Sequence, residues 1–213
     1  RGVLSRMLLP VGDLDKAQTR ARAHAMGLEV VAEKPDSQEI CFVPDGDYAR
    51  ILEQRLPADS PALSRGPIVT SSGRVVGEHS GFARYTIGQR RGVPGGFPAP
   101  MYVIAIRPAE RAVVIGGRDE LLGSGLVASE VNWLADVPSV GTAVSVRVRH
   151  RAALARAEIV RLDGHQMEIA LDEPVAAITP GQSVVFYDGD RVLGGGFIDA
   201  ARQQTRNLPV LAA

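Results

Sequence analysis

The chain contains a single cysteine, Cys41, and its thiol is the side chain best suited to covalent chemistry. Its apolar neighbours Ile40 and Phe42 are typical of a small, buried, unreactive cysteine. The polar segment just upstream, with Asp36 and Ser37, and a helix predicted just downstream favour a reactive one, because a helix N-terminus stabilises the thiolate. The residues alone leave both interpretations open. With one cysteine, neither a disulfide within the chain nor a cysteine-rich zinc site is possible.

Arginines are concentrated in a stretch without acidic residues, residues 137–157. Arg147, Arg149 and Arg151 alternate there, so on a single strand they would share one face. Guanidinium groups placed side by side repel each other without an anion, and phosphate matches their geometry with two parallel hydrogen bonds. The pattern, which also includes His150, therefore indicates contact with a nucleic acid.

A second acid-free stretch, residues 79–109, supports the same interpretation. Tyr85 and Gln89 could add stacking and hydrogen bonds to an RNA there. The alternative is that arginine is simply the usual cation of this chain, because all but two of its 24 basic residues are arginine. The cations of the second stretch are Arg84, Arg90, Arg91 and Arg107.

The composition limits the class of protein. The 213 residues include 45% hydrophobic and 23% charged residues, which is ordinary for a globular protein. Because 24 basic residues balance 24 acidic ones, a globally basic nucleic-acid binder is excluded, but a local basic face is not. No apolar run approaches the roughly 20 residues of a membrane span. The four histidines show no metal-ligand spacing, and a first residue other than Met suggests a shortened chain.

The N-terminal part is predicted to be a short α/β region. A helix over residues 13–26 would begin at Asp13 and end at Gly27. Residues 28–31 read as a short strand, and residues 47–55 as a second helix. We therefore expect a small α/β segment ahead of the rest.

From Pro57 onward the sequence predicts short strands separated by turns. Residues 92–100 are rich in glycine and proline and read as a long loop. Five or six strands in the last third predict a small antiparallel barrel or sandwich, and closure into a barrel is favoured because it removes exposed edges. The glycines at 194–196 precede no helix, so tight β-packing explains them better than phosphate binding. The predicted strands are 67–70, 74–78, 101–106, 111–115, 143–149, 155–162, 167–171, 183–187 and 192–198.

The sequence contains five blocks, in this order: Lys34-Pro-Asp-Ser-Gln-Glu-Ile-Cys-Phe-Val43, Gly77-Glu-His-Ser-Gly81, Tyr85-Thr-Ile-Gly-Gln-Arg-Arg-Gly92, Asp172-Glu-Pro-Val-Ala-Ala-Ile-Thr-Pro-Gly-Gln182 and Leu193-Gly-Gly-Gly-Phe-Ile198. With these blocks the chain resembles the bacterial tRNA-specific 2-thiouridylases over nearly its whole length. A lysine is common in that family where this chain has Arg91.

The resemblance implies a sulfurtransferase that uses ATP to place sulfur on carbon 2 of the wobble uridine in glutamate, glutamine and lysine tRNAs. Cys41 corresponds to the second cysteine of the family, the one that carries the persulfide. Arg149, His150 and Gln182 match positions that touch tRNA in the family. The expected partners are tRNA and a sulfur donor such as a cysteine desulfurase or a sulfur-relay protein, in the cytoplasm.

The family's nucleotide-binding loop has no counterpart in this sequence. We therefore expect ATP to be bound by a missing N-terminal domain and this chain alone to be inactive. The expected organisation is a remnant of the ATP-pyrophosphatase-type catalytic domain (1–46), a central domain (47–118) and a tRNA-binding barrel that resembles translation-factor barrels (119–207). A non-catalytic RNA-binding module, or a thiol enzyme unrelated to RNA, remains the alternative. Arg147 and Arg151 are further expected tRNA-binding residues, and the expected supporting positions near tRNA or the active site are Asp36, Ser37, Arg90 and Arg91.

Overall fold

The computed structural model describes residues 2–35, 43, 48–150 and 152–203. The chain divides into two compact units, Arg1–Ile51 and Leu52–Ala213. In the described residues, no helix is both long and apolar enough to cross a membrane. The α-helices are α1 (Lys16–Ala25), α2 (Glu29–Glu33) and α3 (Tyr48–Arg55), and single 3₁₀ turns lie at Leu4–Arg6, Pro61–Leu63, Phe82–Arg84, Pro108–Glu110 and Arg118–Leu121.

Helix α1 is capped by Asp15, two residues later than the Asp13 cap that the sequence predicted. The Asp15 carboxylate accepts a hydrogen bond from the Gln18 N–H at 2.8 Å, and the Gln18 side chain accepts one from the Asp15 N–H at 2.9 Å. This reciprocal pair is a capping box, which Asp13 has no matching residue to form. The predicted end is confirmed, because Gly27 has a positive φ of 71° and closes the last turn.

The strand predicted at residues 28–31 is wrong, because this segment forms α2. The Ala32 N–H donates to the Leu28 carbonyl at 2.9 Å, which closes a helical turn directly after Gly27. A strand needs a neighbour that accepts its backbone hydrogen bonds, and the described residues of this unit include no other strand. The β-branched residues of the segment therefore adopt the helix that the preceding turn starts.

The second unit contains a four-stranded sheet in the order β2-β1-β4-β3. The β1–β2 hairpin and the β3–β4 pair are antiparallel, as predicted, and β1 runs parallel to β4. Buried His79 at the end of β2 fastens this sheet, because its Nε2 donates to the Arg111 carbonyl at 2.9 Å and its Nδ1 accepts from the Gly81 N–H at 3.0 Å. The strands are β1 (Gly66–Thr70), β2 (Val75–His79), β3 (Tyr102–Arg107) and β4 (Ala112–Gly116).

Six further strands close into an antiparallel barrel in the order β10-β5-β8-β7-β6-β9. The predicted mainly β fold with a C-terminal barrel is therefore confirmed. Strand β5 was not among the predicted strands, although it pairs with both β8 and β10. The strands are β5 (Leu122–Trp133), β6 (Ala143–Arg147), β7 (Ala155–Asp163), β8 (Gln166–Ala176), β9 (Ser183–Asp188) and β10 (Arg191–Gln203).

The predicted tight packing at the three consecutive glycines is confirmed. A Cβ on Gly194 would lie 2.5 Å from the Asn132 carbonyl oxygen, and one on Gly196 would lie 2.6 Å from that of Ser129. One on Gly195 would lie 2.8 Å from the Val184 oxygen on the opposite side. These glycines let β10 approach β5 and β9 closely, and so they help to close the barrel.

Candidate nucleic-acid interface

The arginines of the 137–157 stretch lie at the end of β6 and in the loop that leads to β7. The prediction that Arg147, Arg149 and Arg151 alternate along one strand is wrong, because β6 ends at Arg147. At this end of β6, Val146 pairs with Ala155 on β7, and Arg147 pairs with Val185 on β9. The chain then turns, with the Ala152 N–H donating to the Arg149 carbonyl at 3.2 Å. Exposed Arg149 and His150 therefore lie at the tip of the β6–β7 hairpin.

A groove of about 750 Å³ lies beside this hairpin tip. Arg149 and Arg156 line it from the β6–β7 side, and Asp172 and Glu173 line it from β8. Arg156 and Asp172 approach to 4.0 Å, but both side chains are largely exposed, so their attraction is weak. The groove thus offers cations for phosphate, and carboxylates that can accept hydrogen bonds from ribose hydroxyls or base amino groups.

Arg147 lies on the outer face of the barrel, over the ring of Tyr187. Its guanidinium carbon is 5.7 Å from the ring centroid, which is a cation–π distance. No carboxylate in the described part of the chain forms an ion pair with Arg147. Tyr187 was not among the residues predicted from the sequence. Alternation along β9, which buries Phe186 and turns Tyr187 outward, could have indicated it.

Gln182 lies immediately before β9, three residues along the chain from Val185, the register partner of Arg147. Its backbone is fixed, because the N–H donates to the Thr179 carbonyl and the carbonyl accepts from the Ile198 N–H at 2.8 Å. The side-chain oxygen Oε1 is buried and has no hydrogen-bond partner among the described residues. The structure thus brings Gln182 to the same strand pair as Arg147, but with its oxygen turned away from solvent.

Arg90 and Arg91 are exposed in a loop that is attached to β3. Backbone hydrogen bonds join Gly88 to Val103 and Val103 to Gln89, at 2.8 and 2.9 Å. Neither arginine has a carboxylate partner in the part of the chain that the structure describes. The loop also touches the barrel, because a Cβ on Gly88 would lie 3.0 Å from that of Ala177.

Two side chains of residues 79–109 that were predicted to contact RNA, Tyr85 and Gln89, make contacts within the protein instead. The Gln89 amide accepts from the Thr86 N–H at 3.1 Å and donates to the Arg91 carbonyl at 2.7 Å. Tyr85 is half-buried, with its ring 5.6 Å from that of His79. Both residues therefore shape the loop that presents Arg90 and Arg91.

Carboxylates neutralise the other two cations of the 79–109 stretch. Arg84 forms an ion pair with Glu53 on α3. Arg107 pairs with Glu110 at 3.2 Å, and both side chains are mostly buried. A stretch without acidic residues therefore does not guarantee that its arginines lack carboxylate partners, because carboxylates from outside the stretch pair with two of them.

Cys41, Asp36, Ser37 and Arg151 lie outside the described residues. Val43, two positions after the cysteine, is described and is fully buried. The sequence-based predictions for the four residues remain predictions.

The three consecutive glycines do not form a phosphate-binding loop. The three consecutive glycines lie inside β10, where neighbouring backbone fills the space that a phosphate loop would leave open. In residues 2–35, 43, 48–150 and 152–203, no group of three or more His, Cys, Asp or Glu side chains could hold a metal ion.

Comparison with known families defines the class of protein. Three family models match consecutive parts of the chain: a tRNA methyl transferase HUP domain (residues 1–45), a tRNA methyl transferase PRC-barrel domain (51–117) and an aminomethyltransferase beta-barrel domain (123–198). The last two ranges contain the four-stranded sheet and most of the closed barrel. The three domains define a protein of a tRNA-modifying class.

Individual relatives identify the family. A tRNA-specific 2-thiouridylase MnmA of Acidithiobacillus ferrooxidans (strain ATCC 53993 / BNL-5-31) is 46% identical over 198 residues, which cover 92% of this chain and 55% of the relative. Relatives with the same name from Solibacter usitatus (45%; 92% and 54%) and Geotalea uraniireducens (43%; 93% and 52%) match similarly. The chain belongs to the tRNA-specific 2-thiouridylase family. It spans about half the length of the curated relatives it matches.

Proposed function

We propose that this chain is the tRNA-binding and sulfur-carrying part of a tRNA 2-thiouridylase. The single observation that carries this proposal is the identity of 43–46% with enzymes of that name over more than nine-tenths of the chain. The substrate would be the wobble uridine of glutamate, glutamine and lysine tRNAs, and the sulfur would come from a cysteine desulfurase or a relay protein. ATP would be bound by another domain of the enzyme. The reaction would take place in the cytoplasm.

Within this function, the barrel would hold tRNA through the hairpin tip and its groove. Arg149 and His150 are exposed at the tip, and Arg147 and Arg156 extend the positive charge along the adjoining strands. Arg151 follows them in sequence, and exposed Arg90 and Arg91 would add a second basic contact. Gln182 would contribute only after its side-chain oxygen turns outward, because that atom is buried.

Salt titration of tRNA binding tests this interface. Each phosphate contact removed should lower the slope of log affinity against log salt by roughly one unit. We expect Arg149→Ala and Arg151→Ala to lower both the affinity for an unmodified tRNA transcript and this slope. Arg74→Ala is the control, because Arg74 is an exposed arginine outside both acid-free stretches. Unchanged slopes in both test variants would show that these arginines only reflect composition.

Cys41 would be the residue that carries the persulfide. Cys41→Ser should abolish thiolation by a full-length enzyme that contains this chain, because a hydroxyl cannot hold a persulfide. Its thermal stability should barely change. If the cysteine is instead a packed apolar residue, the hydroxyl should cost about 1–3 kcal/mol of stability. A large stability loss with activity kept per folded molecule would overturn the assignment.

A further inference from the structure

The outer surface of strands β6, β9 and β10 carries an unusual pair of accessible aromatic rings. We define the aromatic face as Arg147, Tyr187 and Phe197 together with the smaller residues between them, Ser145, Val185 and Gly195. Register places all six on one side of the sheet, because Ser145 pairs with Tyr187, Arg147 with Val185, and Val185 with Gly195. Phe197 pairs with Ser183 on the same side.

The rings of this face reach solvent to different extents. Phe197 is 48% exposed, although its neighbour Ile198 is buried in the barrel core, whereas Tyr187 is partly buried. Gly195 lies between the rings of Tyr187 and Phe197 and has no side chain. A Cβ there would lie 2.8 Å from the Val184 carbonyl oxygen. The centre of the face is therefore flat, and from strand spacing the two rings are roughly 14 Å apart. Each ring would accept its own planar group.

The charge of the face favours a nucleic acid over a protein or a second copy of this chain. The Arg147 guanidinium lies over Tyr187, without a carboxylate partner in the described residues. Arg156, which lines the groove, is the register partner of Ser145 and extends the positive charge sideways. The nearest acid beyond Phe197 is Asp199, and its carboxylate accepts a hydrogen bond from the Ser129 hydroxyl at 2.7 Å. Accessible aromatic rings beside a guanidinium group without a carboxylate partner, here Arg147, are the elements that bind unstacked nucleotides.

We propose that the aromatic face stacks unpaired bases of the RNA whose backbone is held at the hairpin tip. This inference rests on the proposed function, because the RNA is the tRNA assigned there. The face continues that interface, since it begins at Arg147 and reaches Phe197 beside the start of β9, where Gln182 lies. Phe197 would bind the flat surface of one base, and Tyr187 would bind another once the Arg147 guanidinium moves from its ring to an adjoining phosphate.

Affinity for an unmodified glutamate tRNA transcript, measured by fluorescence anisotropy over a series of salt concentrations, tests the proposal. Phe197→Ala and Tyr187→Ala should each weaken binding by roughly 5- to 150-fold, the range expected for loss of one stacked base. The salt slope should stay unchanged, because a ring neutralises no phosphate. Tyr187→Phe and Phe197→Tyr keep the ring and should bind as tightly as the wild type.

Two controls separate stacking from folding. Val160→Ala removes a partly exposed apolar side chain from the same barrel and should leave affinity unchanged. Phe197→Leu keeps apolar bulk without a π face, so it should fold normally and still weaken binding. Fluorescence of the only tryptophan, Trp133, whose ring is 5.5 Å from that of Phe186, reports whether the barrel is intact.

The outcomes distinguish this inference from the proposed function. If RNA binding depends on Arg149 but its affinity changes less than twofold in Phe197→Leu and Tyr187→Ala, the stacking proposal is wrong and the proposed function stands. A lowered salt slope in the aromatic variants also contradicts the stacking proposal. If these variants lose self-association but keep their RNA affinity, the face binds a second copy of this chain instead. Failure of the wild-type chain to bind the transcript overturns both proposals.

Discussion

The barrel and the N-terminal unit use apolar residues in opposite ways. Fifteen buried residues form one cluster inside the barrel. In the described part of the N-terminal unit, the buried apolar residues are Ala32 and Val43. That unit instead exposes many of its large apolar side chains, namely Val3, Met7, Leu8, Leu9, Val11, Met26, Leu28, Val30 and Val31.

The spacing of apolar residues explains this difference. Along β6, buried valines alternate with Ser145 and Arg147, and along β9, buried Val184 and Phe186 alternate with more exposed residues, so closure of the barrel buries one complete face. Helix α1 has alanine as its only apolar residue type and buries none of its side chains. Apolar content alone therefore does not make a core, and we expect stability to be concentrated in the barrel.

The first prediction tests this contrast with one substitution made in both regions. Leu126→Ala in β5 should cost about 2–5 kcal/mol of unfolding free energy, because Leu126 is fully buried and a cavity would remain. Leu8→Ala should change stability by less than about 0.5 kcal/mol, because Leu8 is 87% exposed. Urea unfolding followed by Trp133 fluorescence and far-ultraviolet circular dichroism measures both. Equal costs would contradict the contrast.

The second prediction concerns how closely the barrel strands pack. Gly194→Ala should cost about 1–3 kcal/mol, because its Cβ would lie 2.5 Å from the Asn132 oxygen and 2.9 Å from the Trp133 ring. Gly95→Ala is the matched control, since nothing lies within 4 Å of its Cβ position and its φ is not positive. That change should be neutral or should stabilise the chain by up to about 1 kcal/mol. The same unfolding experiment compares the two, and a neutral Gly194→Ala would show that the strands can separate at little cost.

Local patterns predicted the strand-rich regions well. Turn residues and alternation located nine of the ten described strands, and the positive φ at Gly27 agrees with its predicted role at the end of α1. Strand β5 was missed because its twelve residues alternate poorly, with adjacent Gly125 and Leu126 both buried. It also changes register near Glu130, a residue with φ of 50°.

The candidate interface was predictable in its residue types but not in its geometry. Alternation of Arg147, Arg149 and Arg151 implied one strand face. The strand β6 ends instead at Arg147, where its pairing with β7 and β9 stops. Partners distant in sequence decide this point, as they do for Arg84, which Glu53 neutralises. Tyr187 faces outward opposite Ser145, a relation that only strand register reveals.

The third prediction sharpens the comparison from the N-terminal side, where a capping box supports the start of a helix. Asp15→Ala removes the capping box of α1 and should cost about 1 kcal/mol of local helix stability. No side chain of α1 is buried, so packing against a core does not stabilise its first turn. Amide hydrogen exchange in α1 should therefore quicken about fivefold, while the urea midpoint reported by Trp133 stays constant. Asp13→Ala is the control, because Asp13 precedes the helix without capping it, and exchange should not change. A shift of the barrel midpoint in Asp15→Ala would show that the two regions unfold together, and equal effects of both substitutions would show that the loss of charge, rather than the loss of the cap, is responsible.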